Sequence, residues 1–453
     1  MGLTSLIFLG AFLVGCSLAL VRHPLYGLVT YIAVFYLHPP SAWWGAVFGG
    51  VRWSLLAAAV TLVAVWIHGA KLGLSTGFWR HRIPWLYLLL VVWLTIQLGW
   101  AIVPEKQWEL LILYAKYLVL LYVVFRILNS ERAIRVFLWS HVAGTFYMGW
   151  TAFTSHLGGR FEGFRGPDIS EANAGALTLA TGFFVIGTLF LASKWRGRAG
   201  LAGVAPFLLD GLVRTASRGG FLALTLGGAI FSMLAPSRHR KLIYGLGAVA
   251  ALVFLLLTNP QFWARIGTIQ YLGEQVEGTD TGAGRLLIIA GQIRMFKDDV
   301  WGWGHRATPY LSSLYMREED LPPPRPGERP EIASHNTFMS LLVEQGIPGA
   351  LFYVAIGVWT FKRLAILRRR LKGSDSFGEL VLAGVGAAMG AIFAGDMFVD
   401  YLKLEVRVWF IAVVMAVGTL WLGGEPSQGK DREGSAGEEK APATPVPYSG
   451  RSR

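Results

Sequence analysis

Apolar runs of about 20 residues recur almost end to end along this chain, and no other feature constrains its fold as strongly. A run of that length crosses a hydrocarbon core of roughly 30 Å as a helix. In lipid, only helices and closed barrels satisfy their own backbone polar groups. Runs near 3–21, 25–40, 53–69, 84–103, 108–128, 134–156, 171–193, 199–215, 219–236, 241–258, 336–361, 378–396 and 405–422 make twelve or thirteen spans. The weakest is 25–40, which ends in His38-Pro39-Pro40. Charged residues are only 15% of the 453, where a soluble domain carries about 25%. The fold class is therefore an all-α polytopic membrane protein. The first run lacks a basic flank and an Ala-x-Ala site, so it is expected to stay as a membrane helix.

The net charge of +13 suggests nucleic acid until it is mapped. Lys194, Arg196 and Arg198, then Arg238, Arg240 and Lys241, then Lys362, Arg363, Arg368, Arg369, Arg370 and Lys372 fall in alternate connections. That is the positive-inside pattern. It reports topology and argues against nucleic acid as a partner. Alternation then puts the connections near 157–170, 214–218, 259–335 and 396–405 on the outer face. The chain divides into N-terminal spans (1–258), a large outer loop (259–335), C-terminal spans (336–422) and a tail (423–453) expected to be disordered and cytoplasmic. The single cysteine, Cys16, lies in the first apolar run, which excludes an intramolecular disulfide and suits packing.

The outer loop has ten acidic residues and eight basic ones, of which seven are arginine. Arginine favours phosphate because its planar fork makes paired, charge-assisted hydrogen bonds. Residues 285–297 read as an amphipathic helix on the membrane surface, and Leu321-Pro322-Pro323-Pro324-Arg325-Pro326 as a stiff extended segment. Arg214 and Arg218 lie in a short outer turn where the charge rule disfavours them, so each is expected to have a specific partner. Gly219 and Gly220 and a helix start make Arg218 an anion-site candidate. Arg285, behind Gly284, opens another helix on the same face, so the two arginines suit a pyrophosphate. Arg160 and Arg165 share that face as weaker candidates.

His335 stands at a helix start with Asn336 or Thr337 as cap. A helix N-terminus disfavours imidazolium, which leaves the ring able to accept a proton. Asp396 and Asp400 are spaced as one helical turn at an outer helix end, where they would orient His335 or an arginine, or pair with Lys403 and Arg407. No histidine spacing suits a metal. Glu318-Glu319-Asp320 reads as a solvated patch, and Gly302-Trp303-Gly304 lacks the context of a nucleotide loop. The expected chemistry uses no metal, cofactor or nucleotide.

His335-Asn336-Thr337-Phe338 through Glu344-Gln345-Gly346-Ile347-Pro348-Gly349 resembles the signature of the O-antigen ligase and polymerase superfamily. Ser217-Arg218-Gly219-Gly220, Gly284-Arg285 and Trp301-Gly302-Trp303-Gly304 are similar to its other elements, in the same order. The likeness covers roughly residues 155–400. It implies a GT-C-like bundle of about 12 helices in the bacterial inner membrane, with one large periplasmic loop containing short helices. It implies transfer of a glycan from undecaprenyl pyrophosphate to a lipid A-core hydroxyl on the periplasmic face, without metal or nucleotide. His335 would be the base, Arg218 and Arg285 the pyrophosphate clamp with Arg165 and Arg214 nearby, and Asn336, Asp400 or Asp396 supporting groups. Where relatives often show Asp-Pro-Asn, this chain has Glu171-Ala172-Asn173, with Asn173 in the supporting place.

Two alternatives stay open within that chemistry, a polymerase and a protein O-oligosaccharyltransferase. A lipid or anion transporter is a different class. It would show ionisable pairs at mid-membrane in corresponding halves, whereas here the charges gather at one face.

Overall fold

A computed structural model describes residues 2–70, 72, 77–155, 160–258, 263, 267, 283–321, 330–374, 376–400 and 402–422. Its helices are α1 (Leu3–Val21), α2 (Leu25–Leu37), α3 (Trp53–Ile67), α4 (Arg82–Gln97), α5 (Pro104–Ile127), α6 (Glu131–Phe153), α7 (Ala172–Ala192), α8 (Trp195–Arg214), α9 (Arg218–Leu234) and α10 (Arg240–Leu257). The large connection contributes α11 (Ala283–Asp298) and α12 (Ala307–Tyr315), and α13 (Thr337–Leu371), α14 (Phe377–Gly395) and α15 (Glu405–Leu422) complete the chain. Among the described residues there is no strand. Seven of these helices are long and apolar enough to cross a membrane, so this is an all-helical, multi-pass membrane protein.

The helix starts are locally encoded. Ser130, Ser217, Asn336 and Ser376 each accept a backbone N–H from the first turn of α6, α9, α13 and α14. The doubtful 25–40 run is a helix of 13 residues, well packed against α3 and α6. At 1.5 Å per residue it reaches only about 20 Å, and Pro39 opens a short 3-10 turn beyond it. At the centre lies α14, whose Ala383, Ala387, Ala388 and Ala391 are fully buried. Small side chains let helices approach closely where no water drives them together.

Two corrections concern helix ends. The span expected at 336–361 continues to Leu371, so Lys362 through Arg370 are helical rather than looped. Arg363 is buried against Gly418 of α15. The predicted surface helix at 285–297 forms, but it packs on α12 and α13, burying Ile288, Gln292 and Met295 while Leu286, Leu287 and Ile293 stay exposed. The segment 322–329 and the tail 423–453 lie outside the described residues.

The bundle has two distinct ends. At one, Phe161 N donates to Arg214 O, Ile102 N to Trp303 O, and Thr337 N to Asp396 O, so the predicted outer connections share a face. At the other, Arg126 donates to Gly69 O, Asn129 to Leu72 O and Arg368 to Met233 O.

α13 breaks at Gly346, where φ is 65° and ψ −171°. The break frees backbone groups, and Pro348 removes the N–H that would have bonded Glu344 O. The segment after α11 satisfies them. Trp303 N donates to Val343 O at 2.9 Å, Gly304 N to Glu344 O at 2.8 Å, and Ile347 N to Val300 O at 2.9 Å. Trp93 Nε1 of α4 donates to Gln345 O at 2.8 Å. Residues 300–304 are thus bound into the kink, which holds the C-terminal end of α11.

Candidate active site

Three arginines from three segments line one small cavity of about 20 Å3, together with Asn173, Ala216, Gly219 and Phe398. Arg218 is the first residue of α9, and Arg285 lies in the first turn of α11. Arg160 comes from the connection before α7. Among the described residues no carboxylate lines this cavity, although Arg160 Nη1 lies 3.4 Å from the exposed Glu162 carboxylate at its edge. Two helix N-termini add partial positive charge to three guanidinium groups, which is the electrostatic pattern of an oxyanion site.

Local bonding aims these groups. Ser217 Oγ accepts Gly220 N at 3.0 Å, capping α9, and donates to Asn173 Oδ1 at 2.7 Å. Arg160 Nη2 donates to the same Asn173 oxygen at 2.9 Å, and its Nε to Thr215 O at 3.1 Å. Asn173 therefore ties the Arg160 loop to the start of α9. A Cβ on Gly219 would lie 2.9 Å from Phe398 Cβ, so this glycine allows the 396–400 turn to close over the cavity.

The predicted arginines separate. Arg214 is the last residue of α8 and pairs with Asp210 at 2.7 Å. Arg165 donates to Tyr147 Oη at 3.3 Å. Neither lines the cavity. Arg160, the weaker candidate by sequence, does.

His335 adopts a left-handed backbone, φ 51°, immediately before the Asn336 cap. Ala216 and Arg306, beside the other site segments, share that uncommon conformation, and such residues collect at functional sites. Asn336 Oδ1 accepts Met339 N at 3.1 Å, and its Nδ2 donates to Met397 O at 3.3 Å. On the other side, Gln292 Nε2 of α11 donates to Ser334 Oγ at 2.8 Å. Gln292 follows Arg285 by two helical turns, about 10 Å along the same face. The histidine segment and the arginine cavity are therefore held by the same two elements, α11 and the 396–400 turn.

Asp396 and Asp400 do not share a helical face, because α14 ends at Gly395 and the chain turns. Asp396 is fully buried, accepting from Arg407 Nη2 at 2.6 Å and Tyr353 Oη at 2.7 Å. Arg407 in turn lies over the Tyr353 and Phe393 rings. Thr337 N donates to Asp396 O at 2.8 Å. Asp396 anchors the start of α13 and is closed off by its own partners.

Asp400 differs. Its outer edge is exposed while its carboxyl packs among protein groups and accepts Ser340 Oγ at 3.1 Å. Tyr114 Oη donates to Leu402 O at 2.9 Å, and Tyr117 Oη to Lys403 O, which draws this connection into the bundle. Tyr114 is ten residues into α5, roughly 15 Å from its start. The surrounding protein desolvates the Asp400 carboxyl and Glu344 repels its charge, raising it to about 6.

A much larger cavity of about 690 Å3 lies between α2, α3 and α5. Its walls are mainly aliphatic and aromatic, with Arg52, Lys116 and Glu405, and it contains none of the candidate residues. Among the described residues no group of His, Cys, Asp or Glu is arranged to hold a metal ion.

Residues 204–354 match the family model described as O-antigen ligase. This stretch is similar to that family. Members of that family are glycosyltransferase-like membrane enzymes handling lipid-linked glycans and lipid acceptors. No curated protein matches the chain.

The matched stretch contains Arg214, Arg218, Arg285, His335 and Asn336, whereas Arg160, Asn173, Asp396 and Asp400 come from outside residues 204–354. It also contains a pair that the sequence reading passed over. His305 Nδ1 lies 2.8 Å from Glu344 Oε2, and both side chains are buried. The available signal was Glu344 inside the Glu-x-Gly element and His305 directly after Trp-Gly-Trp-Gly. The kink bonding brings those two elements together.

Proposed function

We propose that this chain is an O-antigen ligase. It would transfer a glycan from undecaprenyl pyrophosphate to a hydroxyl of a lipid A-core acceptor, at the periplasmic face of the bacterial inner membrane, with the C-terminal tail in the cytoplasm. The observation that carries this reading is the convergence of Arg160, Arg218 and Arg285 on one cavity, held by the same elements that hold His335.

In this reading Arg218 and Arg285 bind the pyrophosphate, and Asn173 keeps Arg160 beside them. His335 removes the proton of the acceptor hydroxyl as its oxygen attacks the anomeric carbon. The bond from that carbon to the pyrophosphate oxygen breaks, and undecaprenyl pyrophosphate leaves with the electron pair. The arginines stabilise that charge, the role otherwise filled by a metal ion. The proton on His335 then passes to solvent or to the departing phosphate. One displacement inverts the anomeric configuration. Asn336 sets the backbone of the histidine, and Asp396 acts through structure.

Purified protein with undecaprenyl-pyrophosphate-linked oligosaccharide and lipid A-core, assayed in EDTA, tests this. Transfer should persist in EDTA and fall by about 100-fold or more in His335→Ala, the usual worth of a general base. Elongation of the donor or labelling of a protein instead would make the chain a polymerase or a protein ligase. No donor turnover with any acceptor would end the transferase reading and favour a transporter.

A further inference from the structure

The cavity of about 690 Å3 between α2, α3 and α5 lies outside the matched stretch and shares no residue with the arginine cavity. Its walls run from Arg52 to Leu62 on α3 and from Ile112 to Val123 on α5. At 1.5 Å per residue this is a groove about 15 Å long. Leu55, Leu62 and Val119 in those walls are exposed, which opens the groove sideways to the membrane. Its volume falls within the range of about 300–1,000 Å3 that small-molecule sites occupy.

One residue does not suit an apolar wall. Lys116 is twelve residues into α5, about 18 Å from the helix start at the site end of the bundle. It precedes by ten residues, about 15 Å, the Arg126 that bonds Gly69 O at the other end. A lysine near the middle of a span is costly unless an anion meets it. Lys116 is exposed into the groove, and among the described residues no carboxylate pairs with it. Glu405 lines the same groove, but its carboxylate accepts from Tyr31 Oη and from Trp409 Nε1 at 3.0 Å. Arg52, exposed where α3 begins, is a second cation without a carboxylate partner among the described residues. The N-terminus of α3 adds partial positive charge beside it. Two cations over an aliphatic groove complement an anionic headgroup carried on apolar tails.

We propose that this groove seats the lipid acceptor, an acylated glycolipid whose phosphate meets Lys116 and Arg52 while its acyl chains lie along α3 and α5. The proposal rests on the transferase reading. A transferase that joins two membrane lipids needs two seats, and in that reading the arginine cavity takes the pyrophosphate of the donor. The groove is separate from that cavity yet reaches the same connection. Tyr117 lines the groove and its Oη donates to Lys403 O, and Glu405 follows two residues later in the groove wall. The 396–405 connection also gives Phe398 to the arginine cavity and Met397 O to Asn336 Nδ2, beside His335. Cα–Cβ bonds tilt toward a helix N-terminus, so Lys116 leans toward the site end and its ammonium stands above the tails. A lipid held this way carries its headgroup past the 396–405 connection toward the histidine.

The test is equilibrium binding of three lipids to the full-length protein in detergent, read by native mass spectrometry. They are lipid A-core, lipid A-core stripped of its phosphates, and undecaprenyl-pyrophosphate-linked oligosaccharide. Lys116→Met should weaken lipid A-core about tenfold or more, the worth of a lost contact to a charged group, and leave the donor unchanged. Removing a lysine from a span does not endanger insertion. Stripping the phosphates should weaken binding to wild type by a similar factor and add little to the loss in Lys116→Met. Ala59→Phe, which fills the groove from an exposed position on α3, should weaken both forms of the acceptor. Acceptor affinity that neither variant changes, or equal losses for the donor, would overturn the proposal. So would equal losses for phosphatidylglycerol, which would make the groove a seat for bulk lipid. Glycan transfer on the same samples separates the two failures. Absent transfer by wild type sinks the ligase reading, whereas normal transfer with an unmoved acceptor affinity sinks only this seat.

Discussion

Gly302 and Gly346 meet backbone to backbone. A Cβ on Gly302 would lie 2.3 Å from Gly346 N, and one on Gly346 would lie 2.2 Å from the Trp301 carbonyl carbon. Both have positive φ, 91° and 65°. Two glycines 44 residues apart in the sequence are thus halves of one contact, and that contact fixes the loop helix α11 to the kink in α13. Gly302→Ala or Gly346→Ala should cost about 1–3 kcal/mol from backbone strain alone, read as a lower melting temperature in detergent. Gly247→Ala, inside α10 where a Cβ meets nothing, is the control and should keep or raise stability, by up to about 1 kcal/mol from helix propensity. Equal melting of all three would refute the contact.

Arg160 and Arg214 exchange the importance that their positions suggest. Both have a carboxylate neighbour, Glu162 at 3.4 Å and Asp210 at 2.7 Å, but Arg160 lines the arginine cavity and Arg214 does not. Arg160→Ala should reduce donor turnover by about 10- to 100-fold, the worth of a hydrogen bond to a charged group. Arg214→Gln should stay within about threefold. Steady-state transfer rates for the two variants decide the matter, and the reverse ranking would remove Arg160 from the site.

The Asp396–Arg407 pair is buried on both sides. Removing one member leaves a charge in the bundle, so Asp396→Ala should destabilise by about 3–5 kcal/mol. The double change Asp396→Ala with Arg407→Met should be less destabilising than the single one, because no charge is stranded. Denaturant or thermal melts of the three proteins give the cycle. Additive losses would mean that the two groups do not interact.

The raised carboxyl of Asp400 carries a pH signature in stability. Its folded value, about 6, exceeds the ordinary 3.8, so the fold favours the protonated form. That stabilisation is present below the ordinary value and is lost as pH rises through about 6. Asp400→Asn cannot ionise. Its melting temperature should match wild type near pH 4 and exceed it increasingly toward pH 7. A constant difference across that range would show that Asp400 titrates normally.

Much of the candidate site was legible because it is written in local signals. Arg218 behind a serine cap, Arg285 at a helix start and His335 before an asparagine cap are each recognisable from a few neighbouring residues. Arg160 was undervalued because nothing in its own stretch says that Asn173 will orient it. Asp396 and Asp400 looked equivalent because their spacing fits a helical turn, but α14 ends one residue before the first of them. The His305–Glu344 pair was missed because 39 residues separate its members.

The sequence by itself determined that this chain is a bundle of membrane helices, where most of those helices run, and which connections carry the candidate polar residues. Those properties follow from hydrophobic length, caps and charge asymmetry, all of which act over one helix or one connection. Only the tertiary structure decided which arginines share a cavity, which aspartate is closed by an ion pair and which stays open, and which glycines touch. Those outcomes depend on how helices far apart in sequence pack, and in a membrane that packing is set by close surface fit and by the pairing of buried polar groups. A pattern along one helix does not contain them.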